Sequence, residues 1–359
     1  MTEEGADIRR ALEWTLAAGE VELGLRLAGA LVRFWSARGL MGEGRRWLKE
    51  ATAAEGQVEP RIQAKARFAA GYAAIGQGDF TEAQSEFEDC LAQARELGDE
   101  SLEGAALAQL AWLAHARGDV DEARLKAEDA LALARPAGDR VTASGGLAVL
   151  AEIAARSDND RAVELFEESL SLRREQGDRR LIANSLLNLG QVELARGNLE
   201  SAQRRFDEGF DLARDLGDTW SISLALVNLG RVRLREHDVE AAADHFAEAL
   251  QVARDRGDKR VVAECLQGIA IVALEREESA RAATLWAAGD AILKALGVEA
   301  SSVERALEAD FRPRLERALP ANELEAATAS GRSLTIDDAI DAALAPTAPA
   351  ITQEAAASA

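Results

Sequence analysis

Between Asp178 and Arg196 the apolar residues Ile182, Leu186, Leu189 and Val192 recur three or four positions apart, with arginine, glutamate and asparagine between them. That spacing draws one apolar stripe along an α-helix. The stripe stops at Gly197-Asn198 and a new one begins. Gly-Asp punctuates the chain in the same way at 78–79, 98–99, 118–119, 138–139, 177–178, 217–218 and 257–258, and Ser157-Asp158, Gly197-Asn198 and His237-Asp238 fill the gaps in that series. The step is twenty residues, with one step of nineteen. Glycine accepts the left-handed conformation that ends a helix, and Asp, Asn or Thr then takes hydrogen bonds from the free N–H groups of the next one. The pattern predicts a string of helices of roughly 16–17 residues joined by tight turns, with Thr81 and Gln84 reading as a capping box.

Alternate helices differ in a regular way. Every second one carries a small residue near its start, at Ala83, Ala123, Ala162, Ala202, Ala242 and Ala282. Four positions on comes a bulky one, at Phe87, Phe166, Phe206, Phe246 and Trp286, with Ala127 the exception and Trp47 extending the series backwards. The intervening helices carry Gly71, Ala111, Gly190, Gly230 and Ala270 twelve residues before each alanine. Small residues on both helices let two backbones approach, and the aromatic fills the wedge between one hairpin and the next. Each hairpin leaves an apolar face that only a neighbouring hairpin covers.

This small–x11–small–x3–aromatic spacing resembles the tetratricopeptide signature, stretched to forty residues by longer helices and clearest from Lys65 to Trp286. The third repeat departs from it: it is one residue short and has Leu150 or Ala151 at the small position, where a local kink is expected. The resemblance implies an all-α, right-handed α-α superhelical solenoid of tetratricopeptide-like hairpins with capping helices at both ends. The ends carry a second resemblance. The segment from Ala11 to Ala51 resembles the junction after the nucleotide-binding core of bacterial STAND-type ATPase regulators, a group that includes LuxR-type activators. "LWAAGDAILKALG" (285–297) and "GRSLTIDDAIDAAL" (331–344) resemble the end of the same region. This implies a C-terminal helical sensor arm, which in such proteins binds an inducer or a partner protein. No G-x-x-x-x-G-K-[ST] phosphate loop occurs, and no basic helix-turn-helix candidate follows, so neither ATP hydrolysis nor DNA binding is implied. The expected organisation is an N-terminal helical pair over 1–56, with Trp14, Phe34, Trp35 and Trp47 as packing residues. Six hairpins over 61–290, capping helices over 291–345 and a disordered tail over 346–359 follow.

Composition narrows the function classes. The chain has 359 residues and a formal charge of −21, a balance that opposes a nucleic-acid surface and anionic membranes. No apolar run is long enough to cross a bilayer, and the start lacks a signal-peptide pattern. Cys90 and Cys265 read as reduced core thiols, and His115, His237 and His245 have no metal-binding spacing, so a cytoplasmic protein without metal or cofactor is expected. No Ser/His/Asp or Cys/His arrangement appears, and the many carboxylates suit helix-surface pairs with arginine. The expectation is a non-enzyme.

Candidate binding residues come from the returning asparagines. "LLNLGQVELARGN" (186–198) and "LVNLGRVRLREHD" (226–238) place Asn188 and Asn228 two residues before the small position. In a tetratricopeptide superhelix the first helices line a concave groove, so Gln109, Ala148, Asn188, Asn228 and Gly268 form a ladder. A carboxamide both donates and accepts, which suits the backbone of an extended peptide. Lys65, Phe68, Tyr72, Trp112 and His115 give the early wall an aromatic character. Asn184, Gln191, Arg231, Arg235, Glu264 and Gln267 make the later wall rich in amides and arginine, with Arg231 and Arg235 an anion-friendly patch. The bland alternatives stand beside these: Asn188 satisfying a turn, Tyr72 and Trp112 packing, and Arg231 and Arg235 paired with Glu264 or other acids. The leading function is a scaffold or regulatory sensor holding a protein or peptide partner in the groove. The alternatives are a small-molecule inducer sensor, for a sugar by its aromatic and amide groups, or a structural self-association arm.

Overall fold

The computed structural model describes residues 3–32, 34–35, 41–53, 58–296 and 302–345, and among them there is helix and no strand. The tail expected to be disordered lies outside the described residues, as does part of the linker before Pro60. The chain divides after Gly177 into two units.

The first unit holds α1 (Glu3–Ala17), α2 (Val21–Ala30), α3 (Met41–Ala53), α4 (Pro60–Ile75), α5 (Phe80–Leu97), α6 (Glu100–Arg117), α7 (Val120–Ala137), α8 (Arg140–Ala154) and α9 (Asn159–Gln176). Successive pairs from α4 onward pack as hairpins, and the first helices α6 and α8 also touch. The start differs from the expected pair. Among the described residues α1, α2 and α3 occupy it, and Gly19, at a φ of +73°, turns the chain between α1 and α2. Arg9 donates to both Glu43 oxygens at 2.6 and 2.8 Å, tying α1 to α3. Those hydrogen bonds hold the Glu43 carboxyl below the usual carboxylate range. Trp35 and Trp47 are buried as expected, but Trp14 is 58% exposed and packs no core.

The second unit holds α10 (Arg179–Ala195), α11 (Leu199–Leu216), α12 (Thr219–Arg235), α13 (Val239–Arg256), α14 (Lys259–Glu275) and α15 (Ser279–Leu296), then α16 (Ser302–Ala318), α17 (Ala321–Ser333) and α18 (Ile336–Leu344). Its first helices touch in sequence, α10 to α12 to α14. The last hairpin is covered by the helices that follow. Trp286 stacks on Phe311 of α16 at 4.3 Å between ring centroids. α17 lies against α15 so closely that a side chain at Gly331 would collide with the Thr284 carbonyl.

The turns follow the punctuation of the sequence. Gly98 closes α5 at φ +64°, and the Asp99 carboxylate accepts from the Leu102 N–H at 3.2 Å to open α6. His237 holds the left-handed seat at φ +62° without being glycine, a conformation that costs an ordinary side chain. Thr81 is not a cap. Asp79 caps α5 by accepting from Glu82 N–H at 3.1 Å, and Gln84 turns outward to Glu88. An aspartate one residue before the helix reaches its first free N–H groups; a threonine already inside the helix does not.

The core follows the small–aromatic rule. Ala83, Ala123, Ala162, Ala202, Ala242 and Ala282 are fully buried, and Phe87, Phe166, Phe206 and Phe246 are buried with them. A Cβ at Gly71 would stand 2.8 Å from the Phe87 ring, one at Gly190 2.5 Å from Phe206 and one at Gly230 2.8 Å from Phe246. Gly268 presses on Phe246 from the next hairpin, at 2.5 Å. Phe87, Phe206 and Phe246 therefore each occupy the volume that a side chain on the facing helix would need. Ala127 breaks the series for a compatible reason. With no ring there, α8 comes close enough that a Cβ at Gly146 would lie 3.1 Å from the Ala127 carbonyl oxygen. The cysteines are free and buried, and burial pushes the Cys90 thiol up to about 12.

Two substitutions test the crossing. Phe206→Ala should lose about 3–5 kcal/mol by leaving a cavity. Ala202→Leu should lose about 1–3 kcal/mol by overpacking. Urea unfolding of both variants measures the losses, and wild-type stability for either contradicts the assignment.

Candidate functional site

The first helices of each unit carry the predicted wall residues. In the first unit Tyr72 on α4 is 38% exposed. Gln109, Trp112 and His115 lie at three-residue intervals on α6, and all are half-buried. Trp112 meets Phe80 edge-on at 5.9 Å and packs against apolar clusters of both adjoining hairpins. Phe68 turns its ring to Phe87 at 5.4 Å and belongs to the core more than to a surface. Lys65, one helical stripe from Tyr72, is exposed.

His115 Nε2 lies 3.4 Å from a Glu152 carboxylate oxygen on α8, while Nδ1 is buried without a hydrogen-bond partner. The carboxylate by itself would favour the charged imidazole. Burial disfavours the charge more strongly and nearby Arg156 opposes it as well, so the pKa falls below the ordinary histidine value. His245 on α13 is lowered in the same direction, by burial and by Arg233.

In the second unit Asn184, Asn188 and Gln191 share one stripe of α10 and are half-buried. The Asn184 carbonyl oxygen accepts from the Ser221 hydroxyl of α12 at 3.3 Å. Arg235 is exposed and Gln267 half-buried. Two predicted residues are corrected. Asn228 is fully buried, donates to the Leu224 carbonyl of its own helix at 2.8 Å and accepts from Arg231 at 3.2 Å. Arg231 is buried too, and its guanidinium continues to Glu264 of α14 at 3.1 Å. Arg260 holds the other Glu264 oxygen at 3.0 Å. Neither the open amide rung at 228 nor the anion-friendly patch at 231 exists as expected, because α14 lies against α12 and brings its acid to the arginine. Every residue of α14 from Val261 to Leu274 is buried apart from Gln267. The network was findable in the sequence: Glu264 is a lone acid inside that apolar run, and a buried carboxylate requires a partner.

The arrangement can therefore do different things in the two units. In the first it presents exposed or half-exposed rings beside an amide and an imidazole. In the second it presents amides on α10 and a cation at Arg235, over helices tied together by charge. Among the described residues no cluster of three or more His, Cys, Asp or Glu could hold a metal ion. No described helix is long and apolar enough to cross a membrane.

Comparison with known proteins matches four stretches, residues 64–96, 106–141, 143–215 and 225–260, to the tetratricopeptide repeat. No curated protein matches the chain. Among solved structures it is similar to a Signal Transduction ATPase with Numerous Domains from Pyrococcus horikoshii that has a tetratricopeptide repeat sensor. The TM-score is 0.60 at 17% identity, covering 90% of this chain and 52% of that one, so this chain spans about half of that protein. It is also similar to Rap protein complexed with competence and sporulation factor, with TM-score 0.55, 13% identity, and 90% and 99% of the two chains covered. A third is NprR in complex with its cognate peptide NprX, with TM-score 0.53, 13% identity, and 88% and 86% covered.

Glu264→Ala should lose about 3–5 kcal/mol, because it removes the buried carboxylate that both Arg231 and Arg260 hold. Replacing both, as Arg231→Met with Glu264→Leu, should recover most of that loss in urea unfolding. A single variant as stable as wild type contradicts the network.

The histidines set a second test. Their folded pKa values lie below the unfolded ones, so in the window between the two the unfolded chain binds more protons. Stability contributed by the neutral imidazoles is complete above the ordinary histidine value and is lost as pH falls through the depressed values. Melting temperatures measured from about pH 7 to about pH 5 should fall, and His115→Gln with His245→Gln should flatten that part of the profile. An unchanged slope in the double variant contradicts the assignment.

Proposed function

Since the stretches from 64 to 260 are tetratricopeptide repeats, we propose that the chain is a non-catalytic regulatory module that holds a segment of a partner protein against its first helices. The observation that carries this reading is the pair Tyr72 and Trp112. They stand forty residues apart at the same register of successive first helices; Tyr72 is 38% exposed and Trp112 half-buried, although large aromatic side chains gain most from burial. Aromatic anchors in partly formed pockets are the groups that dominate protein interfaces. Gln109 and His115 beside them supply polar contacts to a bound backbone, and in the second unit, taken by itself, Asn184, Asn188, Gln191, Arg235 and Gln267 offer groups of the same kind. Asn228, Arg231 and Glu264 act behind that surface by fixing α12 against α14.

The reading agrees with what similarly folded proteins bind. Rap is complexed with competence and sporulation factor, and NprR with its cognate peptide. The STAND protein names its repeat region a sensor. By that analogy this chain serves as a sensor arm, alone or as part of a regulator, working in the cytoplasm. Fold likeness supports a mode of binding and says nothing of the partner's sequence.

The test is affinity capture with wild type and with Tyr72→Ala/Trp112→Ala, followed by calorimetry on the captured segment. The double variant should keep its helical spectrum and lose about 2 kcal/mol or more of binding free energy. Equal recovery of every partner by both proteins removes the first unit's wall as the binding surface.

A further inference from the structure

Charge is divided unevenly between the helices of the second unit. The first helices α10, α12 and α14 carry seven arginine and lysine residues against three glutamates. The second helices α11 and α13 carry five against nine acids. Of the three glutamates, Glu193 and Glu264 are buried, and Glu275 is held by Arg314 at 2.6 Å. What the first helices themselves show to solvent is therefore positive, on a chain whose formal charge is −21.

That charge gathers around an indole where the three helices begin. Arg180, Trp220 and Arg260 stand forty residues apart at one register of helices that touch in sequence, and all three are exposed. Trp220 is 41% exposed, at a cost that a large aromatic side chain escapes by burial. Arg180 lies 3.8 Å from the carboxylate of Asp218, two residues before Trp220, and that carboxylate also caps α12 by accepting from the Ser221 N–H at 3.4 Å. Arg256 reaches over from the end of α13 and donates to the Thr219 hydroxyl at 2.8 Å. A neutral hydroxyl positions it, and among the described residues no carboxylate pairs with it. Asn184 lies at the same place, 3.3 Å from the Ser221 hydroxyl, and a carboxamide pairs with peptide N–H and C=O groups alike.

We propose that this rim of the second unit binds an extended acidic segment of a partner protein. Arg180 and Arg256 take its carboxylates, since a guanidinium matches a carboxylate with two parallel hydrogen bonds. Trp220 carries an apolar side chain between them, and Asn184 meets the backbone. Charge complementarity selects this occupant. A few arginines suit a short run of glutamate or aspartate, whereas the acid excess of the chain as a whole repels the dense phosphates of a nucleic acid. The proposal rests on the reading that first helices hold a partner segment, but not on Tyr72 and Trp112, so the two fail in different variants.

The probe is a fluorescein-labelled ten-residue peptide in which glutamate alternates with leucine and serine, titrated against full-length protein by anisotropy. It should bind wild type, and weaken about tenfold or more when glutamine replaces each glutamate. Arg180→Glu with Arg256→Glu should weaken it about tenfold or more, and Trp220→Ala by about tenfold. All three residues are exposed, so the helical spectrum should be kept. Arg124→Glu with Arg332→Glu makes the same change in net charge on exposed positions elsewhere and should leave binding within about twofold. Tyr72→Ala/Trp112→Ala should also leave it unchanged. Four results overturn the proposal. They are no binding by wild type, equal binding of the glutamate and glutamine peptides, equal binding by wild type and the Arg180→Glu/Arg256→Glu variant, and tighter binding of an oligothymidylate of the same charge at this rim.

Discussion

A phenylalanine ring seated where the facing helix has only a hydrogen atom is the contact on which this molecule depends. Phe87, Phe206 and Phe246 each fill the space above a glycine of the preceding helix, and Phe246 is pressed by a second glycine from the hairpin that follows. The arrangement brings two backbones together and wedges the next hairpin at once. A hairpin of two such helices has no closed core of its own, so its stability is borrowed from the units on either side. Where the ring is missing, at Ala127, the chain substitutes a direct approach of Gly146 to the helix backbone. One requirement, that no volume between helices stay empty, is met in two ways.

With packing handled by the small and aromatic positions, the outward stripes of the first helices are free for other uses, and the two units use them differently. The first leaves Tyr72 exposed and Trp112 half-buried. The second commits Asn228, Arg231 and Glu264 to a buried chain of charge-assisted hydrogen bonds between α12 and α14, which the exposed Arg260 closes at its outer end. Such a network adds less to stability than an apolar replacement would, yet breaking it at one end is costly. Its effect is to hold α12 and α14 in one register. In α18 burial of Ala339, Ile340 and Ala343 and the hydrogen bond from Arg281 to the Ala343 carbonyl hold as a helix a segment too short to form one alone.

Much of this is readable along the chain, for a physical reason. A forty-residue period repeats the local environment, so Ala202 and Ala242, or Phe206 and Phe246, are buried together, and Asp218 and Asp238 both cap because they meet the same free N–H groups. What the period leaves out is anything decided by a single neighbour. Asn228 looks like Asn188 in sequence and differs because Glu264, one hairpin on, recruits Arg231 beside it. Trp14 reads as a packing residue of the N-terminal helices, but the sequence does not say whether another element covers it, and it is 58% exposed. Thr81 fits a capping formula, while Asp79, two residues earlier, reaches the free N–H groups first. α18 stands outside the repeat, and its place against α13, α14 and α15 has no periodic signal at all.

The central claim is that ring and glycine are one interaction, and a double-mutant cycle on Gly190 and Phe206 measures it directly. Gly190→Ala should destabilise the wild-type background by about 1–3 kcal/mol, because the new methyl meets the ring. In the Phe206→Leu background the same change should be neutral or stabilising by up to about 1 kcal/mol, the ordinary helix preference of alanine over glycine. Equal effects of Gly190→Ala in both backgrounds would mean that the two residues act independently, and the account of how these hairpins hold one another would be wrong.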